Sequence, residues 1–389
     1  MNRHWEPQLD EETRSWLEVA RDLGVNYFGP LAEELDRDER YPWENVKLLV
    51  ESGLVALFVP KEYGGKELSL TAACAVAEEV SRSCSSTGAI LAAYALGAYP
   101  ILLSGSEQQK EFYLSELMAG NAVSFALTEV GAGSDASAIK TTATRQGDRW
   151  HIFGEKVYIG NGGASRYYVV FAKTAAEGKT REGITAFMVD REAEGVVIDH
   201  YESKMGIRGT NTSNLKLDTC VDDKDLVGAL GRGMRLALQT LNVGRITVAA
   251  QSTGIALAAL DAGVTEATRR QTFGSSIIDH QGIGFRLADC ATSVTAARMM
   301  TYEAAKAFDN GLDVSILGAM AKLYASEAAH AAADAAVQVF GGDGYCRPCI
   351  AERLYRDQRV LEIYEGSSEI QRLVISRSLK TAAQNDSKR

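Results

Sequence analysis

Two changes of hydrophobic period, near residues 122 and 233, constrain this chain more than any other feature. Residues 8 to about 120 carry apolar side chains at helical spacing. Glu11 to Leu23 and Tyr41 to Glu51 show it, the second through Trp43, Val46, Leu49 and Val50, with Gly53 as a stop. Ala/Val-rich segments, Leu70 to Ser81 and Thr87 to Leu103, read as buried helices. From Ala122 the pattern becomes short β-rich runs: Ala122–Leu127, Arg149–Phe153, Tyr167–Ala172, Ile184–Val189 and Asn214–Leu217, parted by Gly, Asn, Asp and Lys turns. From about Gly233 the helical period returns in Leu236–Glu266, Ile283–Asp309 and Val314–Phe340. The expected architecture is therefore a multidomain α+β fold. It has an N-terminal all-α domain over residues 1–121, a central β-barrel or sandwich over 122–232 and a C-terminal helical bundle over 233–389. A disordered tail is expected from about Thr381.

The chain of 389 residues is long enough for two or three domains, and its 46% hydrophobic and 24% charged residues are ordinary globular composition. A net charge of −10 argues against nucleic-acid binding, which wants a basic face. A polyanionic ligand would have to be held by local cations and backbone N–H groups. No apolar run of membrane-spanning length stands out. The N-terminus, Met1 to Pro7, lacks the apolar core of a signal peptide and the look of a transit peptide, so a cytoplasmic protein is expected. Six scattered cysteines read as reduced thiols. Cys346-Arg347-Pro348-Cys349 lacks a second pair or histidines at ligand spacing, so no metal site is expected.

Several stretches can carry chemistry. In Ile363-Tyr364-Glu365-Gly366-Ser367-Ser368-Glu369, a carboxylate enters a turn just ahead of an amphipathic run, beside an aromatic and an aliphatic side chain. Partial desolvation raises a carboxyl pKa, which suits a general base near neutral pH; the alternative is a solvated cap. In Phe125-Ala126-Leu127-Thr128-Glu129-Val130-Gly131-Ala132-Gly133-Ser134-Asp135, a strand opens into a glycine-rich turn. That is either a plain β-turn or a cradle of N–H groups and hydroxyls. It is not a dinucleotide fingerprint, since the GxGxxG spacing and flanking βαβ unit are missing. Arg270 suits a diphosphate, because its planar fork donates in pairs, or is a solvated helix-end arginine.

Together these motifs resemble those of the acyl-CoA dehydrogenase family, and the resemblance covers nearly the whole chain. Tyr364 to Arg372 resembles its C-terminal signature, Phe125 to Asp135 its Thr-Glu-Pro-Gly-Ala-Gly-Ser-Asp motif, and Lys156 to Gly162 its Lys-x-Trp-Ile-Thr-Asn-Gly. Arg270-Gln271-Thr272-Phe273-Gly274 with His280 and Gln281 is similar to Arg-x-x-Phe-Gly…Gln, and Gln338 to Tyr345 to Gln-x-x-Gly-Gly-x-Gly. The resemblance implies a helical domain, a β domain and a four-helix bundle, with FAD as cofactor.

It further implies that Glu365 is the base that takes the α-proton of an acyl-CoA thioester while flavin N5 takes the β-hydride, giving a trans-2-enoyl thioester. The backbone N–H of Glu365 and a ribityl hydroxyl would polarise the thioester carbonyl. Electrons would pass to an electron-transfer flavoprotein. Leu127 and Thr128 would hold the flavin pyrimidine, Ser134 both cofactor and ligand, and Tyr158 with Gly160 the flavin face and N5 edge. Phe125, Ile159, Ser367 and Glu369 count as further cofactor contacts. Asn242, Arg245 and Gly366 count as substrate contacts. Arg270, Phe273, His280, Gln281, Gln338, Gly341 and Gly342 would reach the FAD of a neighbouring subunit, making a homo-oligomer, expected to be a tetramer.

Three positions depart from the family pattern: Val130 for proline, Gly160 for threonine and Asn242 for aspartate. They keep open a relative acting on a carrier-protein-bound acyl group or passing electrons to oxygen, and a catalytically silent FAD-binding relative. Gly244 stands where some relatives carry an alternative Glu base, leaving Glu365 without a rival. Ala92 would leave room in the acyl pocket, whereas Tyr94 would fill it.

Overall fold

Local signals start the N-terminal helices, and a shared apolar face packs them. α1 (Glu11–Leu23) begins at Asp10, whose carboxylate accepts the Thr13 N–H at 2.7 Å, satisfying one donor that the first turn leaves free. A single π-type turn at Gly24–Phe28 leads into α2 (Gly29–Asp38), followed by α3 (Trp43–Glu51), α4 (Leu70–Ser83), α5 (Ser85–Ser104) and α6 (Glu107–Met118). The computed structural model describes residues 5–175 and 182–386.

Eight strands form the central domain: β1 (Val123–Ala126), β2 (Thr142–Gln146), β3 (Arg149–Gly160), β4 (Tyr167–Ala175), β5 (Glu182–Asp190), β6 (Val196–Tyr201), β7 (Thr212–Asp222) and β8 (Leu226–Val227). They make one sheet in the order β6-β7-β3-β2-β4-β5-β8, with β1 parallel to β4. Side chains alternate along β4. Tyr167, Val169 and Phe171 join a core that includes Ile101, Leu236 and Ala237 of the flanking helices. Tyr168, Val170 and Ala172 join a second core with Trp150, Ile152, Leu215 and Leu217. The sheet thus curls so that β3 and β7 face β4 and β5, while its outer surface rests on helices. β2 and β6 had no counterpart in the sequence reading. Their mostly exposed residues, Thr-Ala-Thr-Arg-Gln and Val-Val-Ile-Asp-His-Tyr, leave too little alternation to see.

The C-terminal segment is built from α7 (Gly233–Arg269), a hairpin of β9 (Gln271–Thr272) and β10 (Ser275–Ser276), α8 (Gln281–Asp309) and α9 (Ser315–Phe340). Then come α10 (Gly342–Tyr345), α11 (Ile350–Asp357) and α12 (Ser368–Asp386). The final helix reaches Asp386, so the expected disordered tail from Thr381 is corrected as far as that residue; 387–389 lie outside the described residues. Apolar spacing from Glu369 onward carries the helix on.

The helices at the two ends of the chain share a core. Cys74 and Ala77 of α4 and Ala95 and Tyr99 of α5 pack with Val243, Ile246, Ala249 and Ala250 of α7. A Cβ at Gly254 would come within 2.2 Å of the Glu78 carbonyl oxygen, so α7 and α4 approach to a distance only glycine allows. Across that contact buried Glu78 takes hydrogen bonds from Arg298 at 2.7 Å and Thr253 at 2.7 Å. The expectation that no apolar run reaches membrane-spanning length is corrected too. α5 and α7 are both long and apolar enough, but their apolar windows are 72% and 100% buried within the protein, which accounts for their composition.

Candidate active site

Glu365 lies in the turn between the short helical stretch ending at Glu362 and α12, with φ of 54°, and Gly366 follows at 91°. Two successive left-handed residues turn the chain sharply and send the Glu365 side chain into the bundle. There its Oε2 is buried and has no hydrogen-bond partner. A Cβ on Gly244 of α7 would lie 2.8 Å from that oxygen and 3.1 Å from Leu96 Cδ1 of α5. The carboxylate therefore rests over the bare backbone of Gly244. Burial pushes its pKa up to about 7, while Arg245 and Lys322 pull it down. No backbone N–H group reaches Oε2, and the desolvation comes from the packed helices rather than from Ile363, which is 55% exposed.

The carbonyls of the turn are held from two sides. The Gln371 amide donates to Gly366 at 2.7 Å and Glu365 at 3.2 Å, and Lys322 of α9 donates to Gly366 at 2.8 Å. Tyr364 bonds Gln251 of α7. Arg245 is buried, donates to Asn242 Oδ1 at 3.0 Å and keeps an unpartnered Nε. Burial lowers its pKa and the nearby Glu365 carboxylate opposes that. Ser367 donates to the exposed Glu369 carboxylate on the outer side of the turn.

The glycine-rich turn and the end of β3 come together. The Val157 N–H donates to the Thr128 carbonyl at 2.9 Å, and fully buried Lys156 donates to the Leu127 carbonyl at 3.0 Å and Glu129 Oε1 at 2.7 Å. Glu129 also accepts the Lys140 and Thr141 N–H groups at 2.5 and 3.0 Å. Burial would raise the Glu129 pKa, but Lys156 and these donors hold it below its ordinary value; burial lowers Lys156 to about 8. Phe125 packs on Phe171, with ring centroids 4.9 Å apart, and Ile159 is buried. Ser134 and Gly160 are exposed, and Tyr158, at a φ of 58°, presents a ring 65% exposed. A Cβ on Gly131, Gly133 or Gly160 would meet nothing within 4 Å. The backbone here is open, an uncovered cradle of hydroxyl, ring and N–H groups that suits a flat polar ring system.

α5 touches both regions: Asn161, next to Gly160, donates to the Ile90 carbonyl at 3.2 Å, and Leu96 and the Glu365 carboxylate both close on Gly244. Half-buried Ala92, Ala93 and Leu96 occupy the outward side of that helix. Tyr94 does not fill the pocket: it is buried in the N-terminal core and its hydroxyl donates to the Gly120 carbonyl at 3.0 Å.

The third group stands apart. Arg270 follows the last residue of α7, 25 residues beyond Arg245, about 37 Å along the helix at the usual rise. It faces Asp343 at 3.6 Å. Phe273, at a φ of 52°, is 100% exposed and packs only edge-on with His280 at 6.0 Å; His280 in turn reaches the Thr272 hydroxyl at 3.0 Å. Gln281, Gln338, Gly341 and Gly342 are exposed beside this hairpin and the α9–α10 turn.

Lys322 was missed in the sequence. The signal was available: one charged residue at i+3 from Ala319 and i−3 from Ala325, on the buried stripe of an alanine-rich helix.

Comparison with known proteins covers every part of this site. The family models described as acyl-CoA dehydrogenase N-terminal, middle and C-terminal domain match residues 10–121, 124–220 and 231–380. The chain is 42% identical over 372 residues to the short-chain specific acyl-CoA dehydrogenase, mitochondrial, of Mus musculus, covering 95% of this chain and 90% of that protein. The solved butyryl-CoA dehydrogenase from Megasphaera elsdenii superposes with a TM-score of 0.93 at 34% identity, over 96% of this chain and 100% of the other. A prolyl acyl carrier protein oxidase superposes with a TM-score of 0.91 at 27% identity, over 96% and 100%. The chain belongs to the acyl-CoA dehydrogenase family and is a flavin-dependent oxidoreductase.

Proposed function

We propose that this protein removes the α and β hydrogens of a short acyl-CoA thioester, with Glu365 as the base that takes the α-proton. The observation that carries the reading is the buried, unpartnered Oε2 of Glu365, near its midpoint of ionisation at neutral pH. An aliphatic proton beside a carbonyl is only weakly acidic, so the base must be aimed and kept free of competing hydrogen bonds. Gly244 supplies the space and Arg245 the favourable charge. The backbone N–H of Glu365 donates to the thioester carbonyl as negative charge builds there. FAD is the cofactor, and when bound it supplies the two-electron acceptor for the β-hydrogen.

Thr128, Ser134, Tyr158 and the open backbone at Gly160 would hold the flavin ring. Gly160 offers its N–H and no hydroxyl, so control of the reacting edge falls to the backbone. Arg270, Phe273 and Gln338 gather beyond the C-terminal end of α7, about 37 Å along that helix from Arg245 at the usual rise. They would complete the site of a neighbouring copy in a homotetramer, passing electrons onward to an electron-transfer flavoprotein. A short acyl chain is supported by the short-chain and butyryl specificities in the names of the mouse and Megasphaera relatives.

The test is anaerobic mixing of the yellow protein with butyryl-CoA, longer acyl-CoA esters and carrier-bound acyl groups while flavin absorbance is followed. Rapid bleaching by butyryl-CoA is expected. Bleaching only by carrier-bound thioesters would move the assignment to the second reading, which the likeness to the prolyl acyl carrier protein oxidase supports. No bleaching by any thioester would refute both.

A further inference from the structure

Lys322 is wholly buried on α9, and its ammonium makes its hydrogen bond to a neutral group, the Gly366 carbonyl, at 2.8 Å. Among the described residues no carboxylate stands within ion-pair distance of it. A carbonyl does not offset the cost of burying a full positive charge, so the field of this ammonium remains for its surroundings to answer.

Four charged groups face it from the packed elements: Arg245 from α7, Glu362 and Glu365 from the segment before α12, and Glu369 from α12 itself. Glu362 already faces His330 at 3.3 Å and Arg359 at 3.5 Å. Glu369 is exposed and takes the Ser367 hydroxyl. Arg245 is a second cation and repels. Glu365 alone of the three acids carries a buried oxygen with no partner.

The hydrogen bond has a mechanical side as well. Glu365 and Gly366 are successive left-handed residues, an arrangement that persists in a non-glycine residue only where its surroundings hold it. Gln371, five residues further along the same segment, can brace the turn internally. Lys322 is the donor that ties the Gly366 carbonyl to a different helix.

We propose that Lys322 is a positioning residue for Glu365: it pins the turn to α9 so that the carboxylate stays over Gly244, and its buried charge favours the ionised base. The assignment rests on the reading of Glu365 as the catalytic base. Burial lowers Lys322 itself to about 8, and the Glu365 carboxylate opposes that, so the two charged forms support one another. As pH rises past that value the lysine loses its proton and its share of the effect.

The test reads the carboxyl directly, without turnover. In the flavin-loaded full-length protein, the infrared band of the protonated carboxyl that disappears in Glu365→Gln is titrated against pH. Lys322→Met is expected to move its midpoint upward by about one pH unit, a tenfold smaller ionised fraction below the midpoint. Lys322→Arg, which keeps the charge, is expected to retain the wild-type midpoint. Should Lys322→Met fail to accumulate, Lys322→Gln decides, since it keeps an N–H donor for Gly366 and drops only the charge; the same upward shift is expected. An unchanged midpoint in the neutral variants, or an equal shift in Lys322→Arg, overturns the proposal. Failure of every thioester to bleach the wild-type flavin would instead refute the proposed reaction and leave this titration readable.

Discussion

Glu365, as the proposed base, would act through one buried oxygen, and its environment makes two opposite demands on pH. The base works only when ionised, so kcat/KM is expected to rise with pH through an apparent midpoint near 7, the value that burial sets for this carboxyl. Stability runs the other way. The folded protein holds the Glu365 proton more tightly than the unfolded chain, whose midpoint is near the ordinary 4.5, so this contribution is full below 4.5 and lost as pH rises through about 7. Glu365→Gln is expected to raise Tm at pH 8 and to change it much less at pH 5. The same variant should keep its flavin yet reduce it about a thousandfold more slowly on mixing with substrate; reduction at the wild-type rate would remove Glu365 from its role. Gly244→Ala probes aim. The added methyl would lie 2.8 Å from Oε2, at the movable end of the carboxylate, so the fold should survive while the base swings aside. Stopped-flow flavin reduction is expected to slow about a hundredfold, with Tm unchanged or slightly raised.

At the scale of elements, the cradle depends on an ion pair that holds the glycine-rich turn against β3. Lys156 is fully buried and satisfied by Glu129 and the Leu127 carbonyl. Lys156→Ala leaves the Glu129 carboxylate buried without its cation, and breaking such a pair from one side costs about 3 kcal/mol or more. Denaturant unfolding should report that loss, accompanied by flavin release; flavin retained at wild-type affinity would show that the pair does not set the cradle. Here the sequence was only half legible. The motif residues Thr128, Ser134 and Tyr158 announce a polar, open surface, but Glu129 and Lys156 are 27 positions apart and become partners only once β3 lies beside the turn.

The whole molecule joins its two helical ends through α4, α5 and α7, and the β9–β10 hairpin stands exposed on its surface. Phe273 is fully exposed at the tip of the β9–β10 hairpin, where the two-residue turn sets it and Gly274 at positive φ, and its ring meets His280 edge-on. If the proposed homo-oligomer forms through this hairpin, Phe273→Ser is expected to leave the chain folded while lowering the particle mass in light scattering and weakening flavin retention. An unchanged mass with full flavin content would show that this hairpin does not complete a neighbour's site.

The sequence by itself determined the order of α, β and α segments, because hydrophobic period is a local property that each element writes in its own residues. It also marked Glu365, through a carboxylate carried into a glycine turn ahead of an amphipathic run. Tertiary structure alone decided the rest. That Gly244 offers bare backbone to the carboxylate depends on how α7 meets the turn before α12, and that Tyr94 is buried depends on the N-terminal helices packed around it. That Lys322 reaches the Gly366 carbonyl, 44 residues away in the chain, depends on where α9 meets the turn. Polar strands such as β2 were invisible for the same reason: their pairing is set by neighbours distant in sequence, and no local pattern records it.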